Sequence, residues 1–241
     1  MSDHSTTAGT DPRPDSRTGA TRFILLRHGR TAWNAAGRFQ GQADIPLDDV
    51  GEQQAQAAAD VLVDERIDTI WASDLVRAHA TALAVGERHG LPVRTDRQLR
   101  EIHVGSWEGM TSAEVAELDP SYGERYARGE DVRRSPTGET SGEVGTRVAA
   151  RLREIAAAEP DGSTVLVGIH GHAAYAGSAA LLGMPYEQWK LLGPLSNCHW
   201  VDLQRGPSGA WRIAGWNVGP TGMPDGERPV RPGERILSAR G

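Results

Sequence analysis

Along the chain, short unbroken apolar runs alternate with stretches in which apolar side chains recur every three or four positions. The run RFILL (22–26) reads as a strand that passes straight into Arg27-His28-Gly29. GEQQAQAAADVLVDE (51–65) has the helical period, with Ala55, Ala58, Leu62 and Val63 on one side. DTIWAS (68–73) is a second strand, and a helix is predicted from Asp74 to about Arg88, closing near Gly90. The segment PVRTD then leads into LREIHVGSWEG (99–109), read as an extended loop. Two polar helical pieces follow at Ser112–Leu118 and Tyr122–Arg128. Glu143–Ala158 is an amphipathic helix with Val144, Val148, Leu152 and Ile155 in register. STVLVGI (163–169) is apolar almost throughout, the pattern of a strand covered on both faces of a parallel sheet. A small-residue helix over Ala173–Leu182 comes next, and CHWVDLQ and AWRIAGWN alternate as a closing antiparallel pair. The predicted fold class is α/β, a three-layer α/β/α sandwich with a mostly parallel central sheet.

The two ends lack this order. Residues 1–20 are polar and bury too little to order themselves, so a disordered tail is expected there. Residues 219–241 are rich in Pro and Gly and read as a second tail, in which Ile236 and Leu237 could dock. One domain is expected over 21–218.

Composition narrows the function. The chain has 241 residues, 38% hydrophobic and 24% charged, as expected of a globular protein. Its net charge of −6 disfavours a general nucleic-acid binder. The single cysteine, Cys198, excludes an internal disulfide framework and a Cys-rich zinc site. No apolar run reaches the roughly 18 to 20 residues of a membrane span, and no signal core stands at the N-terminus, so a cytoplasmic location is expected. Of the 26 basic residues only Lys190 is a lysine, a bias that codon usage can explain.

Four features carry candidate chemistry. His28 and His170 each follow the end of an apolar strand and precede a glycine, and in open α/β sheets the ligand crevice lies beyond the carboxyl ends of strands. In SDLVRAHATA, Ser73 or Asp74 can cap a helix whose first turn carries Arg77, a bidentate donor at an end that already favours anions. Glu101 opens the glycine-interrupted loop LREIHVGSWEG, with Glu108 seven residues on as its rival. Taken singly, each of these residues is better explained as structural or solvated.

In order along the chain, LRHGRTAWN, GRFQGQADIPLDDVGEQQA, SDLVRAHATA, LREIHVGSWEG, SPTGET, GIHGH and LSNCHWVDL match a known pattern. The sequence resembles the histidine phosphatase superfamily, in its phosphoglycerate-mutase-like branch, from about Arg22 to Trp216. The resemblance implies that His28 is a nucleophile forming a phosphohistidine, a covalent route that divides phosphoryl transfer into two displacements. It implies that Arg27, Arg77 and His170 surround the phosphoryl oxygens, and that Glu101 protonates the leaving group and then activates water. Thr31, Asn34, Gln40, Gly41 and Gly171 fall where the family meets phosphate or substrate. No metal and no cofactor are implied, because cationic side chains replace them. The expected partners are a small phosphorylated metabolite and, for assembly, a second copy of the chain as a homodimer; neither nucleic acid nor membrane is expected.

Two positions depart from the family pattern. His172 stands where a small residue is usual, and Arg30 where a glutamate or glutamine is common. Hydrolysis is favoured over mutase chemistry by GSWEG (105–109), by Gln40 in FQGQAD, and by the short span from Glu101 to SPTGET. Against that, Arg133-Arg134 resembles a mutase substrate-binding pair, and is read here as lid residues able to bind an acidic substrate. SDLVRAHATALAVGERHGL, LREIHVGSWEGMT and WRIAGWN further resemble one actinobacterial group of phosphatases that act on a glucosylated phosphoglycerate. The alternatives are a phosphoglycerate mutase, a non-catalytic phospholigand-binding module, and a metal site at His170-Gly171-His172.

Overall fold

A computed structural model describes residues 19–221. In chain order it contains β1 (Arg22–Arg27), α1 (Ala32–Ala35), α2 (Asp49–Leu62), β2 (Thr69–Ala72), α3 (Val76–His89) and β3 (Val93–Thr95). There follow α4 (Ser112–Leu118), α5 (Tyr122–Ala127), α6 (Ser141–Ala158), β4 (Thr164–Ile169), α7 (Gly171–Leu181), β5 (Trp200–Arg205) and β6 (Trp211–Val218). The six strands form one sheet in the order β3-β2-β4-β1-β5-β6. The first four run parallel, β5 pairs antiparallel with β1 and β6 antiparallel with β5, so the sheet is mixed, with helices on both faces.

Alternation along β1 shows how the layers assemble. Phe23 and Leu25 join Val165, Val167 and Ile169 of β4 in the core under α6, which contributes Val144, Val148, Leu152 and Ile155, and α7. Ile24 and Leu26 point the other way with Leu166, into a second core under α2 and α3. Both faces are covered, and so neither strand shows a polar alternation. The register of the parallel pair places Arg27 opposite Ile169, so β1 and β4 end level. His28 and His170 therefore leave the sheet side by side.

Gly168 in β4 lets α3 close on the sheet. A Cβ there would lie 2.7 Å from the Ala82 Cβ and 2.8 Å from the Ala78 carbonyl oxygen. The same close contact brings the start of α3, with Arg77, to the strand ends.

Several predicted boundaries change. The expected helix start at Asp74 moves to Val76, with Leu75 as N-cap and no side-chain cap of its own. Asp74 is drawn away by Arg100, which donates to both of its carboxylate oxygens, while Asp44 accepts from the Val76 N–H. The helix α6 begins at Ser141, ahead of the predicted Glu143, because Thr140 and Glu143 form a reciprocal capping box. PVRTD contains the edge strand β3, a 3₁₀ turn at Arg97–Leu99 leads into LREIHVGSWEG, and a second lies within it at Gly105–Trp107. Ala20, placed in the predicted tail, is buried and donates its N–H to Ala156. Residues 1–18 and 222–241, including Ile236 and Leu237, lie outside the described residues. Among those described, no helix is long and apolar enough to cross a membrane.

The tight seat of Gly168 generates a prediction. Gly168→Ala should force α3 outward and destabilise the fold by about 1–3 kcal/mol, the usual cost of overpacking. Urea unfolding measures this; unchanged stability would show that the α3–β4 contact can relax freely.

Candidate active site

Arg27 ends β1 with its guanidinium buried. One of its Nη groups donates to the Leu195 carbonyl, while its Nε makes no hydrogen bond. Its main chain is gripped as well: its N–H donates to the His199 carbonyl, and its own carbonyl accepts from the Cys198 N–H. Burial pushes the Arg27 pKa down to about 10, although Glu101 and Cys198 act in the opposite sense.

His28 is buried, with Nδ1 2.7 Å from the carbonyl oxygen of Gly29. A carbonyl only accepts, so Nδ1 carries the proton and Nε2 keeps its lone pair. Burial first, then the charges of Arg77 and Arg27, hold the His28 pKa well below the ordinary imidazole value. At neutral pH the ring is therefore uncharged. Asn197 fixes its backbone from behind, donating from Nδ2 to the His28 carbonyl at 2.9 Å.

His170 is the N-cap residue of α7 and packs against His28, with ring centroids 5.3 Å apart and the planes at 61°. It is fully buried and neither ring nitrogen makes a hydrogen bond. Burial and the nearby charges, led by Arg77, also lower its pKa well below normal. The next residue must be small: a Cβ on Gly171 would approach the Arg27 Nε to 3.2 Å.

Arg77, in the first turn of α3, is fully buried. Its Nη groups donate to the carbonyls of Ala43 (2.7 Å) and Gly41 (2.9 Å), which leaves Nε without a partner. Burial lowers its pKa to about 10, against the opposing charges of Glu101 and Asp44. Gly41 thus holds Arg77 through its carbonyl.

The two glutamates have different partners in space. The Glu101 carboxylate accepts three main-chain N–H groups, from Ile102 (2.9 Å), His172 (3.1 Å) and Ala173 (2.8 Å), and so sits on the open N-terminus of α7. It thus sits on the helix that His170 caps, and its charge acts on both Arg27 and Arg77. Glu108 instead accepts the N–H of Gln42 at 2.9 Å.

The other expected residues have the following partners. Thr31 is buried, caps α1 in a box with Asn34, and donates its hydroxyl to Gln40 at 3.0 Å. The Asn34 Oδ1 lies 3.5 Å from the Asn197 Nδ2. Arg30 pairs with Asp48 at 2.9 Å. The His172 ring is turned to the Ser141 hydroxyl (3.0 Å) and the Tyr175 ring, away from the His28–His170 pair. Burial and the charge of Arg134 push its pKa down to about 3. Arg133 and Arg134, expected to act alike, separate: Arg133 forms a surface ion pair with Glu143, and Arg134 is buried over the rings of Tyr122 and Tyr126.

Sequence reasoning missed Asn197 and the Arg147–Glu139 pair. Asn197 lies inside the recognised block LSNCHWVDL without an assigned role, and Glu139 inside SPTGET. Arg147 gave no signal, as one arginine among many on a polar helix face.

The profile of the Histidine phosphatase superfamily (branch 1) matches residues 23–219. A glucosyl-3-phosphoglycerate phosphatase of Mycolicibacterium vanbaalenii is 42% identical over 215 residues, covering 82% of this chain and 94% of the relative. A probable phosphoglycerate mutase, GpmB, of Yersinia enterocolitica is 36% identical over 199 residues, covering 82% and 90%. The solved structure of mycobacterial glucosyl-3-phosphoglycerate phosphatase Rv2419c in complex with VO3 superposes with a TM-score of 0.76 at 40% identity, over 83% of this chain and all of that one.

The buried neutral histidines set a pH dependence. The unfolded chain binds protons at these rings near their ordinary value, about 6.5, whereas the folded chain does so only far lower. Their contribution to stability is therefore complete above that value and is lost as pH falls below it. Urea midpoints should be lower at pH 5 than at pH 7, and the acid limb of kcat/KM should lie below 6.5. An acid limb above 6.5 would mean that His28 is not held neutral.

Proposed function

Since the chain belongs to the histidine phosphatase superfamily and is a phosphomonoester hydrolase, we propose that it cleaves small acidic phosphomonoesters, glucosyl-3-phosphoglycerate foremost, through a phosphohistidine at His28. One observation carries this reading. The Nε groups of Arg27 and Arg77 and both nitrogens of His170 lie buried and unbonded around the His28 ring. Buried donors left without acceptors are costly, and a phosphoryl group with its several acceptor oxygens would satisfy them.

In the first step the Nε2 lone pair of His28 attacks phosphorus, forming an N–P bond as the bond to the alkoxide oxygen breaks. Glu101 gives that oxygen its proton. In the second, a water attacks phosphorus, Glu101 takes its proton, and the N–P bond breaks to return neutral His28 and inorganic phosphate. Arg27, Arg77 and His170 donate to the equatorial oxygens throughout, so the charge of the transition state meets preorganised donors. Thr31, Asn34, Gln40 and Gly41 shape the wall that keeps these groups in place.

Arg134 supports an acidic substrate. It is 2% exposed, donates to the Val132 carbonyl (2.7 Å) and lies 3.4 Å from the Ser141 hydroxyl. No carboxylate among the described residues pairs with it. The His172–Ser141 contact links it to the Glu101 end of α7, where a carboxylate on the substrate would neutralise it. A cytoplasmic location remains part of the proposal. The homodimer expected from the sequence is not supported by the fold or by the relatives.

With 3-phosphoglycerate, phosphate release should greatly exceed conversion to the 2-isomer; efficient isomerisation stimulated by 2,3-bisphosphoglycerate would make the protein a mutase. His28→Ala should abolish turnover and the acid-labile phosphoryl adduct; full activity in that variant would refute the mechanism. Arg134→Met should raise KM for glucosyl-3-phosphoglycerate by about 10-fold or more, the scale of a lost charged hydrogen bond, and leave neutral phosphosugars little affected. An equal effect on both substrate classes would remove Arg134 from substrate recognition.

A further inference from the structure

The Glu101 carboxylate is held by α7, but its backbone is held by something else. Arg147, in the second turn of α6, reaches across to the loop with all five of its N–H donors engaged. Nε donates to Glu139 Oε1 (3.0 Å) and Nη2 to Glu139 Oε2 (2.9 Å), a bidentate pair. Nη1 donates to the carbonyls of Gln98 (2.8 Å) and Arg100 (3.1 Å), and Nη2 lies 3.4 Å from the carbonyl of Glu101 itself. Glu139 completes the grip from the far side. Its Oε2 accepts the His103 N–H at 2.8 Å, and its own N–H donates to the His103 carbonyl at 2.7 Å. The pair thus touches the main chain on both sides of Glu101.

The pair is largely shielded, with side chains 17% and 23% exposed, so it is not an ordinary surface ion pair. Arg147 stands on a helix anchored in the core through Val144 and Val148 on the flank beside it, so the grip has a rigid base. Only a planar guanidinium can serve a carboxylate and three carbonyls at once; an ammonium has three donors and no fork.

We infer that Arg147 and Glu139 are positioning residues for the proton transfer at the leaving oxygen, clamping the Glu101 main chain so that its carboxylate meets that oxygen. This rests on the reading of Glu101 as the general acid. Proton delivery matters for an alkoxide and hardly at all for p-nitrophenolate, which leaves unprotonated. A positioning role is therefore visible as leaving-group selectivity, which general damage to the fold would not change.

The test measures kcat/KM for 3-phosphoglycerate and for p-nitrophenyl phosphate in Arg147→Lys, Glu139→Gln, Glu101→Gln and the double variants with Glu101→Gln. Arg147→Lys should lower the alkyl phosphate value by up to about 10²-fold, the scale of a misplaced group, and change the p-nitrophenyl phosphate value less than about threefold, a shift well under 1 kcal/mol. In the Glu101→Gln background the same substitution should add no further loss. Equal losses on both substrates, or losses that multiply with Glu101→Gln, would overturn the positioning role. Glu139→Gln gives the same comparison should Arg147→Lys not fold, and p-nitrophenyl phosphate turnover reports folding in each. If Glu101→Gln itself shows no leaving-group dependence, Glu101 is not the acid, and the clamp falls with it; if Glu101→Gln shows the dependence and the clamp variants do not, only the clamp is wrong.

Discussion

Two like-charged guanidinium groups buried at the strand ends are the constraint on which this structure turns. Arg27 and Arg77 have lost most of their hydration, repel one another, and have Glu101 as their common counter-charge. Such an arrangement is costly alone, and the fold offsets the cost with backbone. The carbonyls of Leu195, Gly41 and Ala43 each accept from one of the two side chains, and every one of those carbonyls lies in a connecting segment beyond the strand ends. The loops are therefore shaped around the cations. The layered sheet beneath them supplies the stiffness that holds like charges together.

The same logic explains the division of labour between strands and helices. Level ends of β1 and β4 set the two histidines beside each other. The N-termini of α3 and α7 converge on the same point and deliver Arg77 and the seat of Glu101. The site groups thus come from the ends of two strands and the starts of two helices, far apart in sequence.

Much of this was legible in the sequence. Strands covered on both faces must be apolar throughout, so β1 and β4, and with them the placement of His28 and His170, could be read directly. The choice between the two candidate acids could not: Glu101 and Glu108 share one loop and one chemistry, and only the family pattern favours one of them. What separates them is tertiary, since α7 offers its free N–H groups to one and Gln42 offers its N–H to the other. The start of α3 was misread for a similar reason, because Asp74, a good capping residue, is claimed by Arg100. The edge strand β3 has three residues, too few for a period to show. Arg147 was invisible because a buried fork and a solvated surface arginine look identical in a string of letters.

The contact between the His28 Nδ1 and the carbonyl of its neighbour Gly29 has one more consequence, for regiochemistry. An imidazole can carry a phosphoryl group on either nitrogen, and the two isomers differ in shape and in lifetime. Here the proximal nitrogen is tied to the main chain one residue away, a tether that no rotation of the side chain could exchange for the distal one without breaking it. With His28 as the proposed nucleophile, the phosphoryl group would ride on the distal, or tele, nitrogen. The smallest ring of contacts in the site thereby selects a single covalent isomer.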